Sequence, residues 1–356
     1  MTQFKKVFCT AESNTNEENI RLYRKDMNAP FTSVPFIVMN TRNNETYLTG
    51  AIETPLVKDL INRAQRVKVK TNKRNNVKIV QGDIRKIMTT SDKSVIQMAS
   101  QFNLLEMISP NVTPKHGITV YEQDRTQGPA CAIGTYPSTY VRNYAIPVNK
   151  NGIIDYKSNL DLGQLVRQVD CLYDLHKLMC AKTGIKKLWE MQNGYLFINK
   201  DNLSAIDVII KKSTPNQYLE MINSVRIGTH WVCENSDVEN KRVFNTMAIC
   251  SALPIAYNDI TNMDLWENFA KLILRANYIG TISTGIINSK YIDFKNKKVI
   301  LTLLGGGVFG NEMEWIYDSI YYAIELFRDA DISIVLNSYG KPDRDMLNFV
   351  EYINKN

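Results

Sequence analysis

The chain has 356 residues, 44% of them hydrophobic, and a formal net charge of +7 at pH 7. These values are ordinary for a globular protein with one large domain or two smaller ones. The six cysteines lie far apart, with no C-x-x-C pair and only three histidines beside them, so the spacing of zinc ligands is absent. We therefore expect no metal, no cofactor and thiols that stay reduced.

Two features of the hydropathy pattern bear on location. No stretch approaches 18 uninterrupted apolar residues, and the apolar stretch near residue 1 is too short for a signal peptide. We expect a cytoplasmic protein without a membrane partner, or one delivered into a host cytosol if it is an effector.

Basic residues are concentrated between residues 63 and 78. Residues 66–70 alternate charged and apolar side chains, which is typical of an exposed or edge strand. This charge either blocks unwanted strand pairing or forms a surface for an anionic partner. Because no aromatic residues are interleaved with it, we expect no nucleic-acid partner. The residues are Arg63, Arg66, Lys68, Lys70, Lys73, Arg74 and Lys78.

The first third of the chain predicts an N-terminal decoration followed by an α/β domain. Residues 35–39 are typical of a strand and residues 55–65 of a helix, within an α+β subdomain that we place at residues 1–70. Beyond residue 71, short apolar runs at 77–80 and 96–99 alternate with longer segments. This alternation favours an α/β sheet.

Residues 134–222 predict a mainly helical insertion into the second domain, which spans residues 71–356. Apolar residues recur at helical spacing from 160 to 181, with Gly184 as the C-terminal stop. A strand at 195–198 and a helix at 217–224 follow.

The last third contains the clearest pattern. We predict a strand at 225–232, a helix at 264–279 that stops at Gly280, and a continuously apolar strand at 299–304. Continuous apolarity indicates a strand buried on both faces, as in a parallel sheet. A helix at 314–327 and a strand at 332–336 complete a right-handed crossover.

A glycine-rich loop, Gly305-Gly306-Gly307-Val308-Phe309-Gly310, lies between that buried strand and the next helix. Without Cβ atoms, such a backbone can approach a phosphate closely and point its N–H groups at the oxygens. The loop lacks the Gly-Lys-Ser/Thr ending of a P-loop and the full spacing of a dinucleotide fingerprint. It is either a phosphate-binding loop or a tight strand-to-helix turn.

Two segments together resemble the ligand site of macrodomains. Residues 77–84, Val-Lys-Ile-Val-Gln-Gly-Asp-Ile, are similar to the strand and Gly-Asp-Ile turn of that family, and residues 307–310 to its diphosphate loop. Residues 98–103 occupy the place of the family's Asn-Ala-Ala-Asn segment. The resemblance covers residues 75–132 and 224–345. It implies an α/β fold with a macrodomain-like mixed central sheet flanked by helices, and ADP-ribose as the ligand.

The resemblance also implies roles for matching residues. Asp83 would accept a hydrogen bond from the adenine amino group, with Ile84 beside it, and Asn103 would hold the distal ribose. The glycine loop would wrap the diphosphate, and Tyr339 would pack against the adenine. The complete predicted binding set is Asp83, Ile84, Gln101, Asn103, Thr126, Gln127, Gly128, Gly305, Gly306, Gly307, Val308, Phe309, Gly310, Asn311 and Tyr339.

The chain departs from the family where macrodomains carry a glycine-rich catalytic loop. Residues 121–130 are instead rich in carboxylates, and with the large insertion they resemble the poly(ADP-ribose) glycohydrolase-like and bacterial-effector branch. Glycosidic hydrolysis needs one carboxylate to stabilise positive charge or activate water, and an acid to protonate the leaving group. Asp124 is the first candidate, followed by Glu106, Glu122 and then Glu234.

These residues predict an ADP-ribosyl hydrolase whose partner is ADP-ribose or an ADP-ribosylated protein. The alternative is a non-catalytic module that binds ADP-ribose or an NAD metabolite. Such a module would keep Asp83 and the glycine loop but would need no acid near the anomeric carbon. A nucleic-acid-binding protein would rest on the basic segment alone.

Overall fold

The computed structural model describes residues 2–15, 19–25, 36–71, 76–157, 162–290 and 296–355. Within these ranges the strands are β1 (Ile20–Lys25), β2 (Phe36–Thr41), β3 (Thr46–Glu53), β4 (Val77–Gln81), β5 (Ser94–Ala99), β6 (Glu190–Gln192), β7 (Tyr195–Phe197), β8 (Gly228–Glu234), β9 (Phe244–Cys250), β10 (Lys298–Leu301) and β11 (Ser333–Ser338).

Nine of these strands form one mixed sheet, in the order β1-β2-β3-β8-β9-β5-β10-β11-β4, and β6 pairs with β7 in a separate hairpin. Strand β5 runs parallel to both β9 and β10, β10 parallel to β11, and β11 parallel to β4. The carboxyl ends of these five strands therefore meet at one edge of the sheet, where ligands bind in open α/β proteins.

The helices lie around this sheet. They are α1 (Gln3–Phe8), α2 (Val57–Val67), α3 (Ile84–Thr90), α4 (Gln127–Gly134), α5 (Tyr136–Tyr144), α6 (Tyr173–Thr183), α7 (Lys200–Lys211), α8 (Pro215–Asn223), α9 (Met263–Asn288), α10 (Met313–Leu326) and α11 (Arg344–Lys355). Helix α9 packs on β5, β9 and β10 and also contacts α2, α7 and α10. The predicted α/β class, with a mixed central sheet flanked by helices, is confirmed. No helix among the described residues is both long and apolar enough to cross a membrane.

The N-terminal segment continues the central sheet. Strand β3 pairs antiparallel with β8, through Ala51 and Trp231, Ile52 and His230, and Glu53 and Thr229. The predicted subdomain at 1–70 and the predicted domain at 71–356 therefore share one sheet. Pro35, the first residue of the predicted strand at 35–39, lies outside the described residues.

The predicted helix at 160–181 is wrong over its first half. Residues 162–172 are not helical, and α6 begins at Tyr173. Their backbone groups bond to other segments instead: Gly163 N–H donates to Ile146 O, and Cys171 N–H donates to Phe102 O. Residues 160 and 161 lie outside the described ranges. The stop at Gly184 is confirmed, because this residue caps α6 in the left-handed conformation.

Two further element boundaries differ from prediction. Helix α9 continues past Gly280 to Asn288, and nearly all of its second half is buried in the core, so packing outweighs the weak local stop. The strand predicted at 66–70 is wrong at its start, because Arg66 and Val67 end α2, whose Val57, Leu60 and Ala64 are buried at helical spacing. At its end, Lys70 forms an isolated antiparallel bridge with Ala330.

Part of the basic segment is neutralised by carboxylates. Arg63 pairs with Glu53 and Lys68 with Asp329. Lys73 and Arg74 lie outside the described residues.

Candidate active site

A cleft of about 230 Å³ lies at the carboxyl ends of β5 and β10. This volume is below the roughly 300–1,000 Å³ typical of small-molecule sites. The cleft opens beside the exposed side chain of Val308. Its walls are residues 99–101 and 106–108 from the end of β5 onward, residues 124 and 126–129, residues 302–305 and 307–309 after β10, and residues Tyr195, Ala252 and Tyr257.

The glycine loop forms one wall, and it is held as a tight turn. Asn311 N–H donates to Gly305 O over 2.9 Å, and Asn311 Nδ2 donates to Leu253 O over 2.8 Å. A Cβ at Gly305 would lie 2.4 Å from the Cβ of Ala252, and the residue has a φ of +81°, so glycine is required there.

The same loop presents consecutive unpaired donors. The backbone N–H groups of Gly307, Val308 and Phe309 have no hydrogen-bond partner among the described residues. Consecutive N–H groups of this kind make an anion-binding concavity. The loop is therefore a tight turn that leaves three backbone N–H groups available to a ligand, and phosphate binding by it stays a prediction.

Glu106 also lines the cleft and is buried. Burial raises the pKa of its carboxyl from 4.5 to about 7, while the charge of Arg142 opposes that rise. Its Oε2 lies 3.4 Å from Arg142 Nη2, and its Oε1 has no partner among the described residues. A carboxyl group with these properties can exchange a proton near neutral pH.

Asp124 also lines the cleft and is partly exposed. Its Oδ1 accepts a hydrogen bond of 2.8 Å from Thr126 N–H, just before α4. Its negative charge also raises the pKa of Glu106. The structure thus brings together the first two predicted catalytic carboxylates.

The start of α4 is fitted closely against the end of β5. Gln127 Oε1 accepts from Ala99 N–H over 2.8 Å, and Gln127 Nε2 donates to Gln97 O over 2.8 Å. A Cβ at Gly128 would lie 1.7 Å from Ala99 O, so only glycine allows this approach. Predicted residues Thr126, Gln127 and Gly128 all line the cleft.

Glu122, predicted as catalytic, lies elsewhere. Its oxygens accept hydrogen bonds of 3.0 Å from the backbone N–H groups of Gln3 and Phe4, at the start of α1, and from Tyr136 Oη. Helix α1 brings these two N–H groups to the carboxylate, so Glu122 caps α1. Glu234, the weakest candidate, accepts from Leu48 N–H and pairs with Arg242, also outside the cleft lining.

Asn103, predicted to hold the distal ribose, and Gln101, another predicted binding residue, both organise the chain after β5. Asn103 is buried, accepts from Leu105 N–H and donates to Gln168 Oε1, and it does not line the cleft. Gln101 does line it, but its side chain amide bonds both the N–H and the carbonyl of Met107. That pair of bonds holds the loop that carries Glu106.

The residues predicted to bind adenine lie at the same sheet edge but outside the cleft lining. Asp83 caps α3 by accepting from Arg85 N–H over 2.9 Å, Ile84 is buried, and Tyr339 is 76% exposed. Strands β4 and β5 are separated by β11 and β10, which puts β4, just before Asp83, roughly 14 Å from β5 at about 4.8 Å per strand.

Sequence reasoning missed Arg142, Tyr195 and Tyr257. The rings of Tyr195, Tyr257 and Phe309 pack together, with centroids 5.0 to 5.8 Å apart, and all three line the cleft. Tyr195 comes from the predicted insertion and Tyr257 from the segment after β9. Only the tertiary fold brings them to the glycine loop.

A comparison with solved structures matches this chain to structures of poly(ADP-ribose) glycohydrolase. The enzyme from Thermomonospora curvata matches at 8% identity and a TM-score of 0.40, over 89% of this chain and 92% of that chain. A mutant of the enzyme from Deinococcus radiodurans, in complex with ADP-ribose, matches at 8% identity and a TM-score of 0.40, over 85% of this chain and 93% of that chain. The Thermomonospora curvata enzyme bound to the inhibitor ADP-HPD matches at 9% identity and a TM-score of 0.37, over 89% and 92%.

Identities and TM-scores this low do not place the chain in that family. No protein-family model matches the sequence, and no curated protein matches it.

Proposed function

We propose that this protein binds ADP-ribose across the carboxyl ends of β4, β11, β10 and β5 and hydrolyses an ADP-ribosyl linkage. The observation that carries the proposal is the cleft itself. Three consecutive unpaired N–H groups, at residues 307–309, share it with Glu106, a buried carboxyl that titrates near neutral pH.

The ligand would bind in an extended conformation. The N–H groups of the glycine loop would receive the diphosphate, and the turn at Asp83, roughly 14 Å from β5, would receive the adenine. The anomeric carbon would then lie between Glu106 and Asp124. An extended pose accounts for the small volume of the cleft, because only the distal part of the ligand would lie inside it.

The two carboxyl groups suit different steps of hydrolysis. Glu106, partly protonated near pH 7, would donate its proton to the leaving atom as the bond to the anomeric carbon breaks. Asp124, partly exposed, would stabilise the oxocarbenium-like state and accept a proton from the attacking water. The products would be free ADP-ribose and the unmodified target.

Binding is tested first, by titrating ADP-ribose into the protein in a calorimeter. We expect saturable binding that weakens in Asp83→Ala and is unchanged in Glu239→Gln, a control on an exposed carboxylate. A folded protein that binds no ADP-ribose would contradict the proposal.

Turnover is tested on proteins mono-ADP-ribosylated at arginine, glutamate or serine. We expect at least one linkage to be cleaved, with Glu106→Gln and Asp124→Asn each losing roughly 10²–10⁴-fold in kcat while still binding ADP-ribose. The Glu239→Gln variant should match wild type. Binding without cleavage of any linkage would instead support the non-catalytic module.

A further inference from the structure

Arg142 is the most deeply buried cation among the described residues, and its side chain has no exposed surface. It lies on α5, behind the cleft wall. Its Nη2 donates to Thr139 Oγ1 over 3.0 Å and lies 3.4 Å from Glu106 Oε2, while Nε and Nη1 have no partner in the described part of the chain.

The geometry of the Arg142–Glu106 ion pair is unfavourable for stability. A buried ion pair offsets its desolvation cost only with good geometry and further hydrogen bonds. Arg63 and Glu53 show the usual two-pronged arrangement, at 2.6 and 3.2 Å. Arg142 instead makes one long contact with Glu106 and leaves two donor atoms unsatisfied, so stability does not explain its position.

The contact has a specific consequence for Glu106. Arg142 contacts Oε2, while Oε1 is buried without a hydrogen-bond partner among the described residues, and Glu106 is one of the residues that line the cleft. We propose that Arg142 is a positioning residue, which fixes Glu106 through Oε2 and sets its protonation so that Oε1 serves the reaction. This inference rests on the proposed function.

The other groups around Glu106 do not supply an opposing positive charge. Tyr121, in the 3₁₀ helix Thr119–Gln123, and Cys131, on α4, are buried with pKa values raised well above their usual range, so both are neutral. Ser100 Oγ donates to Leu105 O, and Asp124 adds a negative charge. On β8, burial and the charge of Arg142 lower the pKa of His230, which is therefore neutral. Arg142 alone favours the ionised form of Glu106 by charge.

The direct test follows the carboxyl signal of Glu106 by NMR as a function of pH, with Glu106→Gln to assign it. In Arg142→Met, we expect the titration midpoint to rise by one pH unit or more, because the favourable charge is lost. The matched control is Arg63→Met, which removes another paired arginine outside the cleft and should leave the midpoint unchanged. An unchanged midpoint in folded Arg142→Met would overturn the inference.

A second measurement needs no Arg142 variant. In wild type, the NMR chemical shifts of the Arg142 guanidinium nitrogens should change with pH at the same midpoint as the Glu106 carboxyl signal. This pH-dependent change should vanish in Glu106→Gln. Independent titration of the two groups would overturn the inference even if Arg142→Met fails to fold.

Enzyme kinetics then separate the inference from the proposed function. The limb of the kcat/KM profile that belongs to Glu106 should move to higher pH in Arg142→Met, as the NMR midpoint does. If turnover occurs but this limb stays fixed, Arg142 is not a positioning residue. If wild type cleaves no linkage, the proposed function fails, whatever the NMR titration shows.

Discussion

Glu106 shows how burial gives an ordinary residue unusual chemistry. In the sequence it is one of several carboxylates, three residues after Asn103. In the fold its carboxyl is fully enclosed, and desolvation outweighs the opposing charge of Arg142. The raised pKa of Glu106 should also make the free energy of unfolding depend on pH.

Because the pKa of Glu106 is about 7 in the folded state and 4.5 when solvated, the folded state binds more protons between these values. The free energy of unfolding should therefore fall as pH rises from about 4.5 to 7, by up to about 3 kcal/mol from this group. Denaturant unfolding across this range would measure it.

The comparison with Glu106→Gln isolates that contribution. Asp170 also has a raised pKa, about 6, and would add to the pH dependence of both proteins. The difference in free energy of unfolding between wild type and Glu106→Gln should therefore vary with pH only through Glu106. A difference that does not vary with pH would contradict the buried environment of Glu106.

Gly128 allows close packing between the start of α4 and the end of β5. Its missing Cβ lets α4 approach Ala99 O, and we expect Gly128→Ala to lower the free energy of unfolding by about 1–3 kcal/mol through overpacking. Gly307→Ala is the matched control, since a Cβ there would meet no atom within 4 Å. Equal stabilities of the two variants, measured by denaturant unfolding, would refute this assignment.

At the scale of elements, the N-terminal segment and the segment before Asp124 cap each other. Glu122 accepts from Gln3 and Phe4 at the start of α1, as described above. In return, Glu12 accepts from Ile118 N–H over 2.6 Å and Thr119 N–H over 2.8 Å, at the start of the 3₁₀ helix Thr119–Gln123. These reciprocal carboxylate caps fix the segment that leads to Asp124.

We expect Glu12→Gln to weaken this segment, because two backbone donors lose a charged acceptor. Amide hydrogen exchange at Ile118 and Thr119 should accelerate, and the free energy of unfolding should fall by roughly 1–3 kcal/mol. Glu239→Gln, at an exposed ion pair, should change neither quantity. Unchanged exchange at both amides would show that the caps are not needed.

At the scale of the whole molecule, the N-terminal strands belong to the central sheet. Strand β3 covers the edge of β8, and both are largely buried. The protein should therefore unfold as one unit across the boundary that the sequence suggested at residue 70. Hydrogen exchange measured by mass spectrometry in denaturant should show peptides from β3 and β10 losing protection together.

Separate transitions for these two strands would instead support two domains.

A fragment of residues 71–356 offers a further check. It would expose the β8 edge, and an uncovered edge strand invites association between chains, so we expect the fragment to aggregate where the full chain does not.

Local patterns in the sequence determined much of this protein. The apolar runs of β4, β5, β10 and β11, and the glycines after β10, are local signals, and neighbouring parallel strands end at the same edge. Asp83, the glycine loop and the chain around Asp124 could therefore be predicted as parts of one region. Helix α2 and the stop at Gly184 followed from spacing and turn chemistry in the same way.

Only the tertiary structure decided the rest, because it depended on contacts between residues distant in sequence. The approach of α1 gave Glu122 a capping role, and α5 brought Arg142 to Glu106. Residues 162–172 are not helical despite their apolar spacing, because their backbone groups form hydrogen bonds with other segments. The two tyrosines of the cleft came from segments without a motif. Burial and long-range pairing, which a local pattern does not encode, separated Glu106 and Asp124 from the other carboxylates.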